Sequence, residues 1–239
     1  MDFSGSYREK ETRPGQYPWV IAVLDHRDSL TRYIGGGSLI SFSVVLTAVQ
    51  VLTDADDADL LVRAGEWNVS TTSESYPHVD RQVKRIVRHD QFNKKTGDND
   101  VALLFLTAPF PAQPNIRPVC LADENSDFGG CFYNGWGMEQ TTSMEYPSVL
   151  KKVRINLKNN LSSRYISDYF ILGQARKRSI GCKGDSGSPL VCSVPRNPNQ
   201  FRQVGILICG NDGRPSIFTN VAKFQPWINS KLEDIGQNY

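Results

Sequence analysis

Short apolar runs separated by turn-forming residues dominate the chain. Stretches rich in Val, Ile, Leu and aromatics recur between clusters of Gly, Pro, Asn and Asp, at 19–24, 38–47, 60–65, 83–88, 101–106, 150–157, 189–192 and 203–208. Runs of this length and composition predict β-strands, and their spacing predicts a barrel or a sandwich. A different periodicity closes the chain. Val221, Phe224, Trp227, Ile228 and Leu232 fall at three- and four-residue spacings, which predicts a helix. Pro226 sits within its first turns, where a missing N–H matters least. The polar segment 1–13 reads as a loosely held lead-in, and 14–235 as one domain.

Composition narrows the class. The 239 residues are 39% hydrophobic and 22% charged, an ordinary globular mixture large enough for a double-layered domain. The net charge of +2 supplies no reason to bind nucleic acid or an anionic membrane. The basic clusters at Lys151, Lys152 and Arg154 and at Arg176, Lys177 and Arg178 read as solvated positions beside strands rather than as a polyanion patch. No apolar run approaches the roughly 18 residues of a membrane span. The segment 1–6 lacks the apolar stretch of a signal peptide.

The sharpest chemical signal is Gly184-Asp185-Ser186-Gly187-Ser188-Pro189. A nucleophilic serine must present its hydroxyl from a tight turn, with backbone N–H groups converging on the developing oxyanion. Glycines on either side permit that turn. Alone, the string would fit any β-turn.

Further strings accompany it in order. They are Tyr17-Pro18-Trp19-Val20, Gly36-Gly37-Ser38-Leu39-Ile40, Val45-Leu46-Thr47-Ala48, Asp98-Asn99-Asp100-Val101-Ala102-Leu103-Leu104, Ile116-Arg117-Pro118-Val119-Cys120-Leu121 and Gly135-Trp136-Gly137. Together they resemble the chymotrypsin-like serine proteases over nearly the whole chain. Ala64-Gly65-Glu66-Trp67 and Tyr33-Ile34-Gly35-Gly36-Gly37 look most like the insect CLIP-domain proteases and their non-catalytic homologues. The resemblance implies an all-β fold of two six-stranded antiparallel β-barrels with a C-terminal α-helix and the site between the barrels. It assigns Asp100 and Ser186 to the catalytic triad, the N–H groups of Gly184 and Ser186 to the oxyanion hole, and Ile180 and Ser216 to the specificity pocket.

The general base is missing. The family's histidine follows Leu-Thr-Ala-Ala, and here the string runs Leu46-Thr47-Ala48-Val49-Gln50-Val51. A carboxamide does not titrate near neutral pH, so Gln50 cannot take the Ser186 proton. In an unrelated serine protease, loss of the base alone costs roughly 10⁶-fold in kcat. The only other histidines, His26, His78 and His89, fall in a turn, a polar loop and the approach to Asp100, and read as surface residues. Ile180 stands where an aspartate would select Lys or Arg. The strand Val204-Gly205-Ile206-Leu207-Ile208-Cys209 is shorter than the family pattern. No Ile-Val-Gly-Gly start supplies an α-amine to pair with Asp185.

The count of five cysteines leaves connectivity open. The resemblance pairs Cys131 with Cys192 and Cys182 with Cys209. It leaves Cys120 unpaired or joined to an upstream segment such as a CLIP domain. Asn68-Val69-Ser70 and Asn160-Leu161-Ser162 are glycosylation sequons, meaningful in a secreted chain. No metal or cofactor is expected, including at the loop after Glu66. These features predict an extracellular, non-catalytic homologue that binds proteins such as a protease or zymogen. Two other functions stay open: a serine endopeptidase with atypical machinery, and a structural or adhesion protein.

Overall fold

The computed structural model describes residues 12–27, 30–53, 55–138, 146–157, 167–175, 184–209 and 215–236. The first barrel comprises β1 (Val20–Asp25), β2 (Arg32–Ser41), β3 (Val44–Thr47), β4 (Leu60–Ala64), β5 (Val79–Arg88) and β6 (Ala102–Leu106). It closes in the order β1-β2-β3-β6-β5-β4. Inward positions such as Ile21, Leu39, Val45, Val62 and Leu104 are buried together.

The second barrel comprises β8 (Cys131–Gly135), β9 (Lys151–Leu157), β10 (Phe170–Ala175), β11 (Pro189–Val194), β12 (Asn197–Cys209) and β13 (Ser216–Asn220). Its order is β11-β8-β9-β10-β13-β12, closed by pairing β11 with β12. The short β7 (Cys120–Leu121) adds in parallel to the β12 edge. Tyr133, Ile155, Leu190, Val204 and Phe218 fill this barrel. Helix α1 (Val221–Gly236) buries Val221, Phe224 and Ile228 against Leu46, Leu103 and Phe105 of the first barrel and Ile206 of the second. That cover explains why β6 is apolar at every position: alternate side chains face the barrel core and the helix.

The apolar run at 38–47 is two strands rather than one. A turn through Phe42 and Ser43 folds it back, so that Ser38 pairs with Leu46. Strands β7, β8, β10 and β13 fall outside the expected runs. Each is short or carries Gly or Asn among its apolar residues, and neighbouring strands supply the pairing that hydropathy alone does not signal. Thr12, within the N-terminal polar segment, is buried and donates to the Leu150 carbonyl at 2.7 Å.

Candidate active site

Ser186 lies in a turn that leads into β11, and backbone bonds fix its shape. Ser188 N–H donates to Asp185 O at 3.0 Å, Gly36 N–H to Ser186 O at 2.8 Å, and Gly187 N–H to Leu207 O at 2.8 Å. Gly187 adopts a φ of +84°, and a Cβ there would run into the Gly36 carbonyl and the Thr47 hydroxyl. The turn therefore docks against the first barrel with no room for a side chain at that position. Gly184, at the other side of the serine, also has a positive φ of +95°.

Gln50 lies across the cleft in a 3₁₀ turn over Val49–Leu52. Its backbone N–H donates to Asp100 Oδ1 at 2.9 Å, and its side-chain Nε2 donates to the Ile208 carbonyl at 2.7 Å. The Ser186 hydroxyl donates to the same carbonyl at 2.9 Å. The fold thus brings Gln50, Asp100 and Ser186 together, joined through the main chain of β12. Ile208 O accepts the serine's hydrogen bond, but an amide oxygen is far too weak a base to remove the proton.

Asp100 is buried just before β6, and its other carboxylate oxygen, Oδ2, has no hydrogen-bond partner. Burial raises its pKa to about 6, against partial relief from the N–H groups of Gln50 and Val49 and from the Gln50 side chain. Asp185 is raised to about 7 by burial, relieved in part by Gly137 N–H at 2.7 Å and by the more distant Lys151 charge. Its carboxyl rests against Gly135 and Gly137, where any Cβ would collide with it. No cation bonds to Asp185 among the described residues.

The three histidines are engaged elsewhere. His26 Nδ1 contacts the Thr31 hydroxyl at 2.7 Å, and His78 Nδ1 contacts Glu66 at 2.9 Å. His89 packs against the rings of Phe224 and Trp227, at 5.5 and 5.0 Å between centroids. Glu66 also accepts from Arg63 at 3.3 Å, so a guanidinium stands beside its carboxylate.

Ser216 opens β13, half-buried and in register with Gly173 of β10. Ile180, Cys182 and Asn160 lie outside the described residues. Cys131 and Cys192 form a disulfide between β8 and β11, and Cys120 is exposed and free. In the first sequon, Asn68 Oδ1 accepts from the Ser70 hydroxyl at 2.7 Å. The residue that sequence reasoning missed is Ile208. Its part is played by a backbone carbonyl, so its side chain carries no signal of it.

Comparison with known proteins agrees with this architecture. Residues 7–228 match the trypsin family. Phenoloxidase-activating factor 2 of Galleria mellonella is 34% identical over 258 residues, covering 96% of this chain and 84% of that protein. Inactive CLIP domain-containing serine protease A28 of Anopheles gambiae is 31% identical over 244 residues, covering 93% of this chain and 63% of that protein. Inactive CLIP domain-containing serine protease A3 of Aedes aegypti is 31% identical over 239 residues, with 91% of this chain but only 49% of that protein covered. Two closed β-barrels, a serine turn docked between them and a family match across most of the chain lead to one assignment: this protein belongs to the trypsin family of serine proteases and their homologues.

Proposed function

We propose that this chain is a secreted, catalytically inert serine protease homologue that acts as a binding or cofactor protein in insect-type extracellular proteolytic or immune cascades. One observation carries the reading: Gln50 and Ser186 both spend a side-chain donor on the Ile208 carbonyl. A serine hydroxyl becomes a nucleophile only when a neighbouring group takes its proton. Here the groups beside it are a carboxamide and an amide oxygen. Ile208 O, with two donors already, is also poorly placed to receive a backbone N–H from a substrate strand.

The names of three relatives support the reading: a phenoloxidase-activating factor fits the cascade setting, and two CLIP-domain proteases named as inactive fit the absence of catalysis. A disulfide at Cys131–Cys192 and a sequon at Asn68 fit an oxidising, extracellular compartment. Among the described residues, no helix is long and apolar enough to cross a membrane.

The test is labelling with a fluorophosphonate probe together with hydrolysis of a broad peptide library. The expected result is no labelling at Ser186 and hydrolysis no faster than that of Ser186→Ala. Stoichiometric labelling that disappears in Ser186→Ala would overturn the proposal in favour of an endopeptidase with atypical machinery.

A further inference from the structure

A trough on the second barrel lies away from the serine turn. Strand β8 relates the two places: Gly135 at one end packs against Asp185, while Cys131 and Phe132 at the other end line the trough. Four residue steps separate the ends, roughly 13 Å. The trough has two lobes, of about 730 and 490 Å³. Phe128 and Leu157 line both, so the lobes adjoin each other.

The lobes differ in charge. Lys152 and Arg154, at alternate positions of β9, line the larger one, with Asp127 as its acidic residue. Lys152 Nζ lies 4.1 Å from the centroid of the Phe132 ring and 5.4 Å from that of Tyr17. Among the described residues no carboxylate pairs with Lys152 or Arg154. Partial burial and the Arg154 charge both push the Lys152 pKa down, as expected of cations without a counter-charge. Asp123, Glu124 and Asp168 line the smaller lobe. Its cation, Lys223, is already bonded to Glu124 at 2.8 Å. Between the lobes, Phe128 is 38% exposed.

We propose that this trough docks an extended peptide segment of a partner protein. An acidic residue of that segment meets Lys152 and Arg154, an apolar side chain covers Phe128, and a basic residue faces Asp123 and Asp168. The charge pattern selects this occupant. A polyanion such as a sulfated glycan would meet the carboxylates of the smaller lobe and be repelled. Lys152 and Leu157 are five steps apart on β9, roughly 17 Å, and the acidic lobe continues beyond Leu157. An extended segment of about 6–8 residues spans that length. The proposal does not depend on whether the cleft turns over.

The experiment is fluorescence anisotropy on the intact chain with a labelled peptide, Glu-Asp-Gly-Leu-Phe-Gly-Lys-Arg. A control peptide carries acidic residues at both ends. The first peptide is expected to bind about tenfold more tightly than the control, and the double variant Lys152→Glu/Arg154→Glu to weaken it about tenfold. Asp168→Lys, a lesion in the other lobe, should narrow or reverse the preference between the two peptides. Equal binding of both peptides, or no binding of the first at millimolar concentration, would overturn the proposal. Heparin binding that requires Lys152 and Arg154 and displaces the peptide would reassign the site to a polyanion. Self-association abolished by Lys152→Glu/Arg154→Glu would reassign it to a second copy of this chain.

Discussion

The serine turn and the Gln50 turn face each other across the cleft, but packing excludes any side chain at Gly187 of the first and leaves Gln50 of the second only half-buried. At Gly187 a positive φ and contacts with the Gly36 carbonyl and the Thr47 hydroxyl exclude any side chain, whatever the chemistry of the neighbouring serine. At Gln50 the fold asks for a backbone N–H toward Asp100 and a side chain that can reach Ile208. A glutamine meets both demands. The comparison teaches that a nucleophile's turn can persist for reasons of packing alone. A residue held by hydrogen bonds alone can differ in chemistry without disturbing the barrels, and beside Gln50 the Asp100 Oδ2 atom is buried without a hydrogen-bond partner.

The contrast is broken most directly at Gly187. Gly187→Ala should cost about 4 kcal/mol in urea unfolding, because a forbidden φ and a backbone clash act together. A loss below about 1 kcal/mol would mean that the turn is not fixed by packing.

Asp100 and Asp185 sharpen it through pH. Burial raises their pKa values to about 6 and about 7, above those of the unfolded chain. The folded state therefore keeps two protons that the unfolded state releases above about pH 4. Their contribution to stability is fully present below that pH and is lost as pH rises through 6 and 7. Between pH 5 and pH 8 the loss should be on the order of 4 kcal/mol. Asp100→Asn and Asp185→Asn should each flatten the pH dependence of the urea midpoint. A profile unchanged by both substitutions would show that neither carboxyl is destabilised in the fold.

Gln50 should prove the more tolerant side. Gln50→Ala removes one hydrogen bond between the barrels and should cost about 1 kcal/mol. Gln50→His supplies a base, and its ring N–H can meet Asp100 Oδ2. Peptide hydrolysis should nonetheless stay at the Ser186→Ala background. The Ser186 hydroxyl is engaged by Ile208, no cation bonds to Asp185 among the described residues, and defects in a catalytic unit do not add independently. Turnover above that background would show a working protease site disarmed at one residue.

The smallest effect is expected at the serine itself. Ser186→Ala removes one donor from a carbonyl that Gln50 also satisfies, and should change stability by about 0.5 kcal/mol. A loss above about 2 kcal/mol would mean that the hydroxyl, not the backbone, holds the turn.

Much of the fold was legible along the chain. The spacing of Val221, Phe224 and Ile228 marks one helix face, and all three are buried in the structure. The runs at 60–65 and 101–106 became β4 and β6 with little change at their ends. The run at 38–47 misled, because hydropathy does not register a reversal at Phe42 and Ser43 that keeps both strands buried. At the site, glutamine at position 50 is a fact of covalent chemistry, and its inability to act as a base follows from the side chain alone.

Tertiary structure decided where the remaining donors go. A backbone carbonyl has the same chemistry at every residue, so its partner depends on which segment arrives beside it. The joint capture of Ile208 O by Gln50 and Ser186 exists only because β12 of one barrel passes the 3₁₀ turn of the other. The orphaned oxygen of Asp100 has the same origin. Its two carboxylate oxygens are equivalent in sequence and are distinguished only by what the fold places next to each. The trough likewise unites Asp123, Lys152, Asp168 and Lys223, residues far apart in the chain. Side-chain chemistry is local and can be read one residue at a time, whereas a field or a hydrogen-bond partner arises from distances that only the folded chain sets.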